Sequence, residues 1–127
     1  MGIEGLITFF YYNDLERASQ FYRDVMGFEL VIDLDFAKVY KIYDDAHVGL
    51  VDGNRGYLKA GLEKPVMLTF IAKDVDVWYR YLRGKGVEIE QEPREADYLK
   101  MKTLLIRDPE GYLIEILKWL THPYGQG

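Results

Sequence analysis

A chain of 127 residues is one domain by length and long enough to bury a core. Its net charge of −5 leaves no basic surplus to neutralise phosphates, which argues against nucleic-acid binding, and the absence of cysteine rules out a disulfide framework, a thiolate nucleophile and a Cys-type zinc site. No apolar run has the length of a membrane span and no basic region precedes a hydrophobic start, so a cytoplasmic protein without membrane partners is expected.

Leu6–Tyr12 is a run of β-branched and aromatic residues and predicts a strand. Asn13 and Asp14 then offer a helix N-cap, and Glu16, three after Asn13, completes a capping-box pattern. Leu15, Ala18, Phe21, Tyr22 and Val25 recur at helical spacing, and Gly27 is placed to stop the helix. Residues 28–33 and 36–43 alternate loosely, like strands. Asp44 and Asp45 mark a turn into a further strand over 47–51. The poorly patterned stretch that follows, up to Lys64, reads as a linker.

The pattern then restarts. Residues 65–72 predict a strand, and Asp74 caps a helix carrying Val75, Trp78 and Leu82 that Gly84 and Gly86 end. A strand over 87–91, a charged loop over 92–97 and a strand over 99–107 follow. The run Glu88, Glu90, Glu92 suits a wetted strand edge. Asp108-Pro109-Glu110-Gly111 suits a type I turn, with Asp at position i, Pro presetting φ and Gly relaxing the last position. In the strand after it Leu113, Glu115, Leu117 and Trp119 share one face, and Tyr112, Ile114 and Ile116 the other. Glu115 is therefore a carboxylate among apolar neighbours, a group that is either paired or used. Residues 122–127 read as a loose tail.

The two halves overlay. Asp14 and Asp74 cap their helices alike, and Leu68-Thr69-Phe70 echoes Ile7-Thr8-Phe9. Duplication at this period predicts an α+β fold of two βαβββ modules, residues 1–60 and 65–121, within a single domain 1–127. One helix covers one face of each short sheet. The other face needs the second module or a ligand.

The stretch from Asn13 to Glu29 and the segment from Asp108 to Ile116 resemble the signature helix and last-strand signature of the vicinal oxygen chelate superfamily. That superfamily includes glyoxalase I, the extradiol dioxygenases, fosfomycin-resistance enzymes and bleomycin-resistance proteins. The resemblance implies curved mixed sheets around a cleft and a homodimer that completes it. It also implies a divalent metal held by side chains from the first and last strands of each module. Those positions fall on Ile7, near Gly49, on Met67 and on Glu115, with His47 two residues from Gly49 on the same strand face. Alkyl and thioether groups are no donors for hard cations, so only Glu115 and His47 remain as partial metal candidates and no cofactor is expected.

Each candidate has a bland reading beside the functional one. Glu115 suits a surviving ligand, a base or a hydrogen-bond acceptor, or else a carboxylate tied to Lys100, Lys102, Lys118 or a tyrosine. His47 suits a general base or a surface residue. Phe9 and Tyr11 share the face of Ile7 and suit cleft walls or core filling; the chain has eleven Tyr, six Phe and two Trp to supply either. Met67 and Thr69 hold the matching face of the second half. Trp119 suits cleft closure or a subunit contact. The resulting expectation is metal-free capture of a small, partly aromatic molecule by Phe9, Tyr11, His47, Thr69, Glu115 and Trp119. The alternatives are a lyase, isomerase or dioxygenase with divalent metal at an atypical or interface site, and a purely structural dimer.

Overall fold

The computed structural model of the chain describes residues 1–96 and 99–121. Asp97 and Tyr98 of the expected loop region, and the tail 122–127, lie outside them. The chain divides between Glu63 and Lys64 into two compact units. The first contains β1 (Leu6–Tyr12), α1 (Leu15–Gln20), a π-helical turn (Phe21–Val25), β2 (Glu29–Asp33), β3 (Ala37–Tyr43) and β4 (Ala46–Asp52). The second contains β5 (Met67–Ile71), α2 (Val75–Gly84), β6 (Glu88–Ala96), β7 (Met101–Arg107) and β8 (Leu113–Trp119). The sheets run β1-β4-β3-β2 and β5-β8-β7-β6, with the outer first strand parallel to the last and the other pairs antiparallel. Two βαβββ modules are thus present as expected. Among the described residues no helix is long and apolar enough to cross a membrane.

Both helices start on an aspartate. Asp14 accepts from the Arg17 N–H at 3.0 Å and Asp74 from the Val77 N–H at 3.1 Å. The expected Asn13–Glu16 capping box is not the cap used. With the helix starting at Leu15, Asp14 is the residue whose carboxylate reaches the third helical N–H, and that third position is Arg17, which cannot accept a bond in return. The expected helix to Val25 also changes character. After Gln20 the Met26 N–H donates to the Phe21 carbonyl at 3.0 Å, a five-residue span that widens the turn. Phe21 and Met26, the two ends of that span, are both buried, as is Tyr22. Gly27, at φ +77°, then closes the helix.

In the first unit Phe10, Tyr12, Tyr40, Val48 and Leu50 point to the helix side and are buried. Its three fully buried tyrosines keep their hydroxyls paired. Tyr12 donates to the Tyr22 hydroxyl at 3.3 Å, and Tyr40 donates to the Ser19 carbonyl at 3.1 Å while also meeting the Ser19 hydroxyl. In the second unit Leu104, Ile106, Ile114 and Ile116 are fully buried, as is Leu82 of α2. Burial of each such aliphatic side chain is worth roughly 1.5–3 kcal/mol, so these faces carry most of the stability.

The charged stretch read as a loop over 92–97 is strand through Ala96. Pro93 is tolerated there because β6 is an edge strand whose ladder shifts register between Ile89 and Gln91 and again between Gln91 and Arg94. The Ile7-Thr8-Phe9 echo is also out of register by one residue. Thr69 lies opposite Glu115, and the equivalent place in the first unit, opposite Gly49, belongs to Phe9. The strand 99–107 begins two residues later than expected, at Met101, because Lys100 adopts φ +51°, outside strand geometry.

The Asp108 turn forms with its full set of bonds. The Gly111 N–H donates to the Asp108 carbonyl at 3.1 Å, and the buried Asp108 carboxylate accepts from the Glu110 and Tyr112 N–H groups, both at 3.0 Å. Gly111 sits at φ +90°, where a side chain would be strained. Arg107 clamps the far side through the Gly111 carbonyl at 2.9 Å. Asp108→Ala leaves two N–H groups without their acceptor and is expected to lower unfolding free energy by roughly 1–3 kcal/mol, with Asp108→Asn losing less because one acceptor oxygen remains. Urea titration of the three proteins measures it.

Candidate functional site

Residues opposite one another on neighbouring strands share a sheet face, so register lays out the face turned away from each helix. In the first unit Phe9, Gly49, Val39 and Ile32 form one row across all four strands. Tyr11, Val51 and Ala37 form the row on one side of it, and Ile7, His47, Lys41 and Glu29 the row on the other. The centre of this face is apolar, and the third row ends it in polar groups.

Gly49 is what lets Phe9 lie down. A Cβ on Gly49 would stand 2.3 Å from Phe9 Cδ1 and 2.4 Å from Cε1, so the ring rests on bare backbone. Phe9 remains 45% exposed, which leaves its outer face available for contact. A cavity of about 330 Å³ opens over it, lined by Ile7, Phe9, Tyr11, Ile32, Val39 and Tyr57 among others. Such a volume is at the small end of ligand pockets. At one margin Arg55 pairs with Asp35 at 2.7 Å and stands 5.6 Å from the centre of the Phe36 ring. The hydrogen bond from Arg55 holds the Asp35 carboxyl below its usual range, and the bond to Asp33 holds the Lys38 ammonium above its own. His47 Nδ1 lies 3.2 Å from the Asp45 carbonyl. A carbonyl can only accept, so this contact puts the proton on Nδ1 and leaves Nε2 pointing elsewhere.

In the second unit the corresponding central row is Thr69, Glu115, Leu105 and Gln91. The Thr69 hydroxyl donates to Glu115 Oε1 at 3.0 Å, and Glu115 is only partly buried. Of the lysines weighed as partners, Lys102 and Lys118 lie opposite each other on the helix-bearing face, and Lys102 pairs with Asp76 of α2. Met67 lies opposite Leu113, and Trp119 opposite Met101 at the far end of the sheet.

The candidates thus fall into two groups. Phe9, Tyr11 and His47 share the open face of the first unit, and Thr69 and Glu115 are joined on that of the second, with Trp119 farther along. Sequence reasoning missed Ile32, Val39 and Tyr57. The break in the β2–β3 ladder between Leu30 and Ile32 resets which β2 residues face the cavity, and alternation alone does not reveal that break. The Phe9–Gly49 contact had a visible signal, a glycine within the apolar run of β4.

Three of the four positions carried over from the family do not suit a hard divalent cation. Ile7, Gly49 and Met67 offer no oxygen or imidazole, and the Phe9 ring occupies the space a side chain at 49 would need. Among the described residues no three His, Cys, Asp or Glu side chains cluster in a way that would hold a metal.

Residues 6–116 match the Glyoxalase family, described as the Glyoxalase/Bleomycin resistance protein/Dioxygenase superfamily. YraH of Bacillus subtilis (strain 168), itself uncharacterized, is 26% identical over 118 residues, covering 85% of this chain and 92% of that protein. Among solved structures, lactoylglutathione lyase from Agrobacterium tumefaciens superposes with a TM-score of 0.76 at 25% identity, covering 93% of this chain and 95% of that one. A glyoxalase/bleomycin resistance protein/dioxygenase from Nocardioides gives 0.77 at 20% identity, covering 100% and 91%, and shares the fold.

Gly49→Ala must push the Phe9 ring from its seat and is expected to cost roughly 1–3 kcal/mol of stability, as overpacking does. Adding Phe9→Ala removes the clash, so the double variant should be less destabilised than the sum of the two single changes. Chemical denaturation of the four proteins tests that non-additivity.

Proposed function

This chain belongs to the Glyoxalase/Bleomycin resistance protein/Dioxygenase superfamily, and from that premise we propose that it binds a small, partly aromatic molecule without metal. The observation that carries the reading is the Phe9 ring lying on Gly49 beneath an apolar cavity of about 330 Å³. The position from which an enzyme of the family would offer a donor is here a glycine covered by hydrocarbon. A flat ring stacking on Phe9, between Ile32 and Tyr11, removes apolar surface on both sides from water, at about 25 cal/mol per Å². On the second unit's own open face Thr69 and Glu115 offer a hydrogen-bonding pair and Trp119 an aromatic surface. The protein acts in the cytoplasm and pairs with a second copy of itself, which sedimentation would report as a dimer mass.

A second reading, a metal-dependent lyase, isomerase or dioxygenase, is favoured by one observation. Glu115 stands on the open face of its sheet with a carboxylate oxygen beyond the one Thr69 engages. The likeness to a lactoylglutathione lyase at 25% identity points the same way. Its donor set would have to be completed by a residue from a partner subunit.

Titration of the purified chain with naphthalene-2-carboxamide, followed by calorimetry, tests the first reading. Phe9→Ala should weaken binding about tenfold, near 1.4 kcal/mol. Binding indifferent to Phe9, or failure of the amide and of its charged counterparts of the same shape alike to bind, would overturn it. Elemental analysis of protein prepared without chelator decides for the second reading if divalent metal is present at one equivalent and Glu115→Gln removes it.

A further inference from the structure

The apolar cavity has unlike ends. On the margin beside Leu34 and Phe36 the charges are already matched: Asp33 is bonded to Lys38 and Asp35 to Arg55. A ligand charge placed there meets neutralised pairs. At the opposite margin Ile7 lines the cavity, and its cross-strand neighbour is His47, followed by Lys41 and then Glu29. None of the ion pairs among the described residues involves Lys41, and its side chain is exposed. His47 stands directly opposite it, close enough in an antiparallel ladder for both side chains to reach one group.

Resting on the reading of this cavity as a binding site, we infer that its ligand is an aromatic acid, whose carboxylate is held by Lys41 and His47 while its ring stacks on Phe9. The geometry sets the length of such a molecule. The Phe9 row and the His47 row are neighbours on one sheet face, two residues apart along β1, β3 and β4, which is about 7 Å. That spans one ring and the carboxylate attached to it. His47 joins Lys41 only when its ring is protonated: with Nδ1 donating to the Asp45 carbonyl, Nε2 of the neutral ring can only accept, and the imidazolium alone donates from Nε2 to a carboxylate. Glu29 is the competitor. It lies opposite Lys41 on the edge strand β2, exposed, and no ion pair of 4.0 Å or less joins them. An exposed pair of this kind is weak, whereas a carboxylate carried by a ring already seated in the cavity approaches Lys41 with part of its water removed. The same layout disfavours cations: Asp33 and Asp35 beside the cavity are bonded to their own bases, and Glu29 stands opposite Lys41.

Three probes of one shape separate this inference from the reading beneath it: 2-naphthoate, naphthalene-2-carboxamide and 2-naphthylmethylammonium, titrated calorimetrically into the full chain at neutral pH. The acid is expected to bind at least tenfold tighter than the amide, and the ammonium weakest. Added salt should weaken the acid and leave the amide nearly unmoved. Lys41→Gln should collapse the acid-to-amide ratio to about one, Lys41→Arg should keep it, and Glu29→Gln should raise it several-fold. Equal affinity of acid and amide, or a preference that survives Lys41→Gln, overturns the anion assignment and leaves the aromatic cavity standing. Failure of all three probes to bind overturns the cavity reading itself, and the inference with it.

Discussion

The pairing of the first strand with the last inside each unit governs everything that the open faces present. Seven residues of β1 lie parallel to seven of β4, and five of β5 parallel to five of β8. At the centre of the first pairing Phe9 meets Gly49; at the centre of the second Thr69 meets Glu115. These are the same place in a duplicated plan, furnished with opposite chemistry. A slip of one residue would turn Phe9 and Glu115 toward the helices and bring Phe10 and Ile116 out. The buried sides forbid that slip, because Phe10, Tyr12, Ile114 and Ile116 have no comparable burial elsewhere.

Stability and the proposed binding function therefore fall on opposite sides of each sheet. The helix sides hold the fully buried residues and the paired tyrosine hydroxyls, so they are tightly constrained in size and polarity. The open sides keep Phe9 and Met67 nearly half exposed. A residue there can change from donor to hydrocarbon at little cost to folding. That latitude is how a shared framework comes to carry a glycine beneath a ring in one half and a hydroxyl–carboxylate pair in the other.

Much of this was legible from residues alone. Alternation put Ile114 and Ile116 on one face of the last strand and Glu115 on the other, and two aspartates announced both helices. Asp108-Pro-Glu-Gly announced its turn because its chemistry is local and complete within five residues. What escaped was whatever depended on a partner strand. The 92–96 segment reads as a charged loop until β7 pairs with it, and the echo of Ile7-Thr8-Phe9 misled by one residue because similarity of letters carries no register. The π-helical turn was hidden for another reason: Phe21, Tyr22 and Val25 fit ordinary helical spacing, and only the Met26 N–H bond to the Phe21 carbonyl reveals the wider winding.

Strand β6 has a consequence for how this molecule meets others. Pro93 withholds an amide from its outer rim, two irregularities bend it, and Glu88, Glu90 and Glu92 surround it with negative charge. A foreign β-segment arriving there finds a broken row of hydrogen-bond donors and like-sign repulsion from any acidic companion, including a sister molecule. The second sheet can accept backbone addition only along β5. Coupling through this sheet alone can therefore join chains in twos along β5 but cannot extend past β6, whereas the first sheet keeps both of its edges, β1 and β2.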